Sequence, residues 1–309
     1  MPTRLRVGIV QAAPVYLDLA ASVQRAVAFI EQAAAQGVKL VAFGETWLPG
    51  YPAWLDHCRD AALWNHQPTK EVFGRLRRNS VVVPGAETGA LSAAAQRHDL
   101  SIVIGVNERV ESGRGNGTLY NSLLTFTPDG TLANHHRKLV PTYTERLVWG
   151  PGDGHGLRAV ETPAGRVGAL VCWEHWMPLA RQAMHVSGEH LHVAVFPTVH
   201  EMHQIASRHY AFESRCFVLT AGLLMRAGDL PAELDAGDAA PDDLLLRGGS
   251  AIIAPDGSYV VAPVFDEETI IIADLDLTLI DQERMTLDVT GHYSRPDVFD
   301  FNVRQTTRD

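Results

Sequence analysis

Short apolar runs alternate with helical patterns along most of this chain, and that alternation limits the folds open to it. Arg6–Gln11, Leu40–Gly44, Ser101–Val106, Val167–Cys172, His192–Phe196 and Val218–Leu224 are dense in Val, Ile and Leu. Such runs read as strands buried on both faces. Between the first two, Val23, Val27 and Ile30 recur at helical spacing and predict a helix from about Leu19 to Gln36, stopped by Gly37. Glu87–Arg97, Leu179–Val186 and the more polar His200–Arg215 read as further helices, the second entered through Pro178 at its first turn. Strands and helices in alternation build a layered α/β sheet.

Two hairpin signals interrupt the alternation. Leu119–Phe126 runs into Thr127-Pro128-Asp129-Gly130, and Ser250–Ala254 into Pro255-Asp256-Gly257. Pro presets φ and Gly supplies positive φ, so each is a turn with a mechanism. One such hairpin in each half leaves two readings open, related halves or coincidence. Gly113, Gly115 and Gly117 lack the strand–helix setting of a dinucleotide site and read as a hairpin tip. The acidic, Pro-containing stretch Ala227–Asp243 reads as a solvated loop, and nothing resembles an interdomain linker. The expectation is one domain over residues 1–309.

Composition narrows the function classes. Lys and Arg number 26 against 36 Asp and Glu, a formal charge of −10 with no dense basic tract. An acidic surface of this kind does not suit nucleic acid or an anionic membrane. No run of about 18 apolar residues predicts a membrane span. The N-terminus alternates Leu5, Val7 and Ile9 as a strand, without a signal peptide's apolar region. Three cysteines are too few for a disulfide framework in 309 residues, so a reducing cytoplasm is expected.

Cys172 closes an apolar strand just before Trp173-Glu174-His175-Trp176-Met177-Pro178 leads into a helix. A strand-to-helix turn can present a nucleophile at a sheet edge, whereas the usual fate of a free cysteine is burial as a small hydrophobe. Cys58 and Cys216 have no such setting. A thiol nucleophile needs a base or a cationic neighbour. Glu45 ends the apolar strand Leu40–Gly44, where burial would raise its pKa toward neutrality, although taken alone such a residue is more often an N-cap or a solvated charge at a strand end. Lys138 leaves a hairpin in the basic run His135-His136-Arg137-Lys138 and could stabilise developing negative charge, or simply face solvent.

Together these segments resemble a family. Gly44-Glu45-Thr46-Trp47-Leu48-Pro49-Gly50-Tyr51-Pro52, His136-Arg137-Lys138-Leu139-Val140-Pro141-Thr142 and Cys172-Trp173-Glu174-His175-Trp176-Met177-Pro178 are similar to the three catalytic blocks of the nitrilase superfamily of carbon–nitrogen hydrolases. Their order matches, with steps of 93 residues from Glu45 to Lys138 and 34 from Lys138 to Cys172. Cys172-Trp173-Glu174, the stretch Thr142–Gly150 and the stretch His200–Tyr210 resemble true nitrilases within it.

The resemblance implies a four-layer αββα sandwich with internal two-fold pseudo-symmetry. It implies a Glu45–Lys138–Cys172 triad, with Glu145 as a second active-site glutamate, and hydrolysis of a small-molecule nitrile to acid and ammonia without metal or cofactor. An amidase on the same fold is the alternative, and a catalytically silent scaffold a more distant one. Trp173, Trp54, Glu174 and His175 are the expected substrate-binding residues, though burial of Trp47, Tyr51, Trp54 and Trp64 against the sheet is as compatible with the sequence. Members build dimers and often spirals, so a homodimer or larger is expected, with 297–309 as a short tail. His200-Glu201-Met202-His203 invites a zinc reading, but Gln204 stands where the helical H-E-x-x-H pattern needs its second histidine.

Overall fold

The computed structural model describes residues 3–305. In chain order its elements are β1 (Arg4–Gln11), α1 (Leu19–Ala35), β2 (Leu40–Phe43), α2 (Trp54–His57), α3 (Gln67–Arg78), α4 (Ala86–His98), β3 (Ser101–Arg109), β4 (Leu119–Phe126) and β5 (Leu132–Arg137). There follow β6 (Val160–Thr162), β7 (Gly165–Val171), α5 (Pro178–Val186), β8 (Leu191–Val195), α6 (Glu201–Ser214), β9 (Phe217–Ala221) and β10 (Leu224–Arg226). The last are β11 (Leu244–Ile253), β12 (Tyr259–Phe265), β13 (Thr269–Asp276) and α7 (Thr278–Arg284).

The strands form two sheets. One runs β13-β1-β2-β3-β4-β5; the other runs β6-β7-β8-β9-β11, with both β12 and β10 pairing β11. In each, three parallel strands (β1, β2, β3; β7, β8, β9) are flanked by an antiparallel strand on one side and an antiparallel hairpin on the other. The two Pro-Asp-Gly turns occupy matching places, closing β4–β5 and β11–β12. The related halves left open by the sequence are therefore present in the topology.

Period-two alternation decides which layer each side chain enters. Leu5, Val7, Ile9, Leu40, Ala42 and Val103 point between the sheets toward Val167, Val193 and Leu219. Val10, Val41, Phe43, Ile102 and Ile104 point the other way, under Ala26, Ile30, Ala33, Leu91 and Ala95 of α1 and α4. Helices α5 and α6 cover the second sheet through Ala183, Met184, Tyr210 and Ala211. The result is the αββα sandwich the resemblance implied. Helix α1 starts where Asp18 accepts from the Ala21 N–H at 2.9 Å and ends just before Gly37, at φ +80°.

The acidic stretch Ala227–Asp243 corrects one expectation. Its charges face outward, but Leu230 and Leu234 are buried in the core beside α3, and Glu233 pairs with Arg75 of that helix. Two leucines four residues apart supply the apolar contact that docks it. Residues 306–309 of the expected tail lie outside the described residues. No helix among the described residues is long and apolar enough to cross a membrane.

Candidate active site

Glu45, Lys138 and Cys172 come from three different strand ends: Glu45 just past β2, Lys138 directly after β5, and Cys172 directly after β7. Glu145 is carried by a 3-10 turn, Tyr143–Leu147, and all four side chains are buried. Lys138 Nζ donates to Glu45 Oε1 at 3.0 Å and to Glu145 Oε2 at 2.7 Å. Burial opposes the ammonium charge, but Glu45, Cys172 and Glu145 outweigh it and hold Lys138 protonated, above its ordinary range. Burial, opposed by Lys138 and reinforced by Glu145, pushes Glu45 up to about 7. Burial, then the Glu45 charge, keeps the Cys172 thiol well above its usual value, while Lys138 and the Trp173 N–H favour its ionised form. A neutral thiol thus sits beside a carboxylate poised near neutrality and a fixed cation.

Several further residues, some of them not singled out by the sequence, hold these groups. Asn121 on β4 donates to Glu45 Oε1 at 2.6 Å, and its carbonyl accepts from the Lys138 N–H at 2.8 Å. Tyr51 donates to Glu145 Oε1 at 3.0 Å, and the Thr142 N–H to Oε2 at 2.7 Å. Glu108 receives Ser122 at 2.6 Å, His135 at 2.7 Å and Arg137 Nη2 at 2.6 Å, fixing the strand just before Lys138. Gly105 on β3 leaves room for the Glu45 loop: a Cβ there would lie 2.4 Å from the Gly44 oxygen and the Thr46 nitrogen. Tyr51, Arg137 and Thr142 lie within the blocks quoted from the sequence, whereas Gly105, Glu108, Asn121 and Ser122 carry no local motif. The available hint was the hairpin, which brings β4 alongside the strand leading to Lys138.

The four expected substrate-binding residues divide. Trp173 is 56% exposed and lines a groove of about 490 Å³ with Val140, Tyr143 and Trp176. Trp54 is buried on α2, beside the turn that carries Glu145, and its indole N–H meets no acceptor among the described residues. Glu174 and His175 are turned into the protein, with Glu174 at the wall of the same groove. Glu174 accepts from the Leu139 N–H at 2.8 Å, the Val171 N–H at 2.7 Å and His136 Nε2 at 2.9 Å. It ties the Lys138 and Cys172 segments together. His175 places Nδ1 2.7 Å from the Cys172 carbonyl oxygen. A 3-10 turn from Cys172 to Trp176 explains the split, since residues three apart eclipse: Trp173 and Trp176 face out while Glu174 and His175 face in.

Cys58 and Cys216 are buried away from this cluster, and burial raises both thiols. Trp47 is buried with its N–H on the Ala12 carbonyl at 3.1 Å, whereas Trp64 is 98% exposed. His203 stacks on Phe196 and bonds the Thr198 carbonyl at 3.0 Å. Among the described residues no group of three or more His, Cys, Asp or Glu side chains could hold a metal ion.

Comparison with known proteins agrees with this architecture. Residues 6–285 match the carbon-nitrogen hydrolase family model. A protein named nitrilase 2, from an unknown prokaryotic organism, is 42% identical over 97% of this chain and 93% of its own. An aliphatic nitrilase of Sinorhizobium fredii (strain HH103) is 42% identical over 96% of this chain and 94% of its own. The crystal structure of a carbon–nitrogen hydrolase from Helicobacter pylori G27 superposes with a TM-score of 0.72 at 20% identity, covering 95% of this chain and 96% of that one. The chain belongs to the carbon–nitrogen hydrolase family and, within it, to the nitrilases.

Proposed function

We propose that the protein hydrolyses an organic nitrile to its carboxylic acid and ammonia, with Cys172 as nucleophile and Glu45, Lys138 and Glu145 around it. The observation that carries this is the burial of two glutamates and a lysine, hydrogen-bonded to one another, beside a thiol at a strand end. Glu45, ionised, takes the Cys172 proton as sulfur bonds to the nitrile carbon. It returns that proton to nitrogen, giving a thioimidate. Lys138 and the backbone N–H after Cys172 stabilise negative charge on that nitrogen as it develops. Glu45 then activates water to attack the same carbon. Loss of ammonia leaves a thioester, and a second water releases the acid and restores the thiol. Expulsion of the thiolate from the tetrahedral intermediate releases an amide instead. No step calls for a cofactor.

Trp173 and its groove take the organic part of the nitrile in this scheme, and Trp54 acts on specificity through the Glu145 turn. Glu174 and His175 hold the site from behind. We also propose that the whole chain, residues 1–309, works as one unit, as a homodimer or larger assembly in the cytoplasm. Free thiols at Cys58, Cys172 and Cys216 suit a reducing compartment. Light scattering that finds only a monomer of 309 residues would reject the assembly.

Cys172→Ala tests the central claim. It is expected to abolish turnover of a nitrile panel while leaving the circular dichroism spectrum intact, and near-normal activity would overturn the mechanism. Ammonia release from matched nitriles and amides, with the amides preferred, would instead make the protein an amidase.

A further inference from the structure

Four buried side chains form a continuous line of hydrogen bonds that ends on the backbone of Cys172. His175 Nδ1 lies 2.7 Å from the Cys172 carbonyl oxygen, and His175 Nε2 lies 2.9 Å from His192 Nε2. His192 Nδ1 lies 2.6 Å from Glu189 Oε1, and the Tyr210 hydroxyl donates to Glu189 Oε2. None of the four is more than 2% exposed. Tyr210 stacks on His192 with ring centroids 3.9 Å apart, and His175 packs on Phe196. The backbone makes room for the carboxyl: Gly168 pairs in register with His192, and a Cβ there would lie 1.8 Å from Glu189 Oε1.

The direction of this line follows from its end. A carbonyl oxygen only accepts, so His175 carries a proton on Nδ1. With His175 neutral, its Nε2 accepts, and His192 must carry its proton on Nε2. His192 Nδ1 then accepts in turn, and Glu189 supplies the last proton from Oε1. Every hydrogen-bonding atom along the line is satisfied, with no net charge. Moving the Glu189 proton onto His192 keeps the count but places two ions in the interior, which burial opposes. Burial pushes Glu189 up to about 7 and His175 down to about 3, and it holds His192 well below its ordinary range.

The residue at the end of the line is a strained one. Cys172 sits at φ +50°, a region a non-glycine residue keeps only where its surroundings impose it. We propose that His175, His192, Glu189 and Tyr210 are positioning residues that clamp the Cys172 carbonyl through a neutral, one-directional line of hydrogen bonds, and so hold the backbone turn that presents the thiol. The proposal rests on Cys172 being the nucleophile. The line touches neither Lys138 nor Glu45, so weakening it lowers kcat and leaves KM in place.

Two measurements test this. Nitrogen-15 NMR of histidine-labelled wild-type enzyme is expected to find His175 as the Nδ1–H tautomer and His192 as the Nε2–H tautomer, both neutral, at about pH 6, where Glu189 keeps its proton. A His175 in the other tautomer, or a charged His175, at that pH overturns the proposal without any variant having to fold. In kinetics, His192→Phe and Glu189→Leu are expected to lower kcat roughly 10- to 100-fold at unchanged KM, the scale for a misplaced reactive group. Glu189→Gln, whose amide N–H can replace the acid O–H, recovers most of that loss. Equal kcat for the Gln and Leu variants counts against the line. Cys172→Ala, assayed alongside, separates the two claims: turnover there removes the nucleophile, while the tautomers still report on the line.

Discussion

Asn121 donates to Oε1 of Glu45 at 2.6 Å, while Oε2 of the same carboxylate is buried with no hydrogen-bond partner among the described residues. One oxygen is anchored and the other is left able to take a proton. With Glu45 held at about 7, activity that needs its ionised form rises through neutrality. Asn121→Leu removes a donor that favours the carboxylate, so the acidic limb of kcat/KM moves to higher pH. One hydrogen bond to a charged group, about 1.5 kcal/mol, corresponds to about one pH unit. A pH–rate profile checks this, and an unmoved limb rejects Glu45 as the base.

Glu145→Gln works in the opposite sense on the same limb. The Glu145 charge helps to raise Glu45, so neutralising it moves the limb to lower pH. The maximal rate falls at the same time, because Lys138 loses its 2.7 Å carboxylate contact. A limb that moves upward would contradict the charge arrangement described for the site.

Gly105→Ala probes geometry without touching a charged group. The new methyl meets the Gly44 oxygen and the Thr46 nitrogen at 2.4 Å, so the Glu45 loop must move. A shift near 1 Å in a reactive group costs on the order of 100-fold in rate. Single-turnover kinetics together with thermal unfolding will separate that loss from general instability.

Glu174→Ala cuts the tie between the segments of Lys138 and Cys172. It removes the acceptor for the Leu139 and Val171 N–H groups and for His136, all in the interior. Breaking a buried charged network costs about 3–5 kcal/mol. Urea unfolding is expected to show that loss, with Glu174→Gln milder because its amide oxygen still accepts.

Glu108 predicts an acid dependence of stability. Burial alone would raise it, but hydrogen bonds from His135 and Arg137 overcome burial and bring it down to about 2, against an ordinary value of 4.5. A depressed folded pKa stabilises the protein above the unfolded value, and that contribution is lost as pH falls from about 4.5 toward 2. Glu108→Leu should flatten the slope of unfolding free energy against pH in that window. An unchanged slope would show that the pair does not couple to folding.

Residue order along the chain by itself determined the α/β class, the two Pro-Asp-Gly hairpins and the candidate residues Glu45, Lys138, Glu145 and Cys172. Periodicity, turn chemistry and motif spacing are local properties, so they can be read without a partner strand. Tertiary structure alone decided who stands beside whom. Asn121 meets Glu45 and Lys138 because β4 and β5 pair with Ser122 opposite Arg137. Glu189 reaches His192 because Gly168 on the neighbouring strand leaves space for its carboxyl. Glu174 and His175 face inward because the chain turns at Cys172 into a 3-10 turn rather than going straight into α5. Burial then set the chemistry, bringing Glu45 to about 7 and keeping the Cys172 thiol protonated. Register, close approach and desolvation all arise between segments distant in sequence, which is why the residues that could react were legible and most of the contacts that hold and tune them were not.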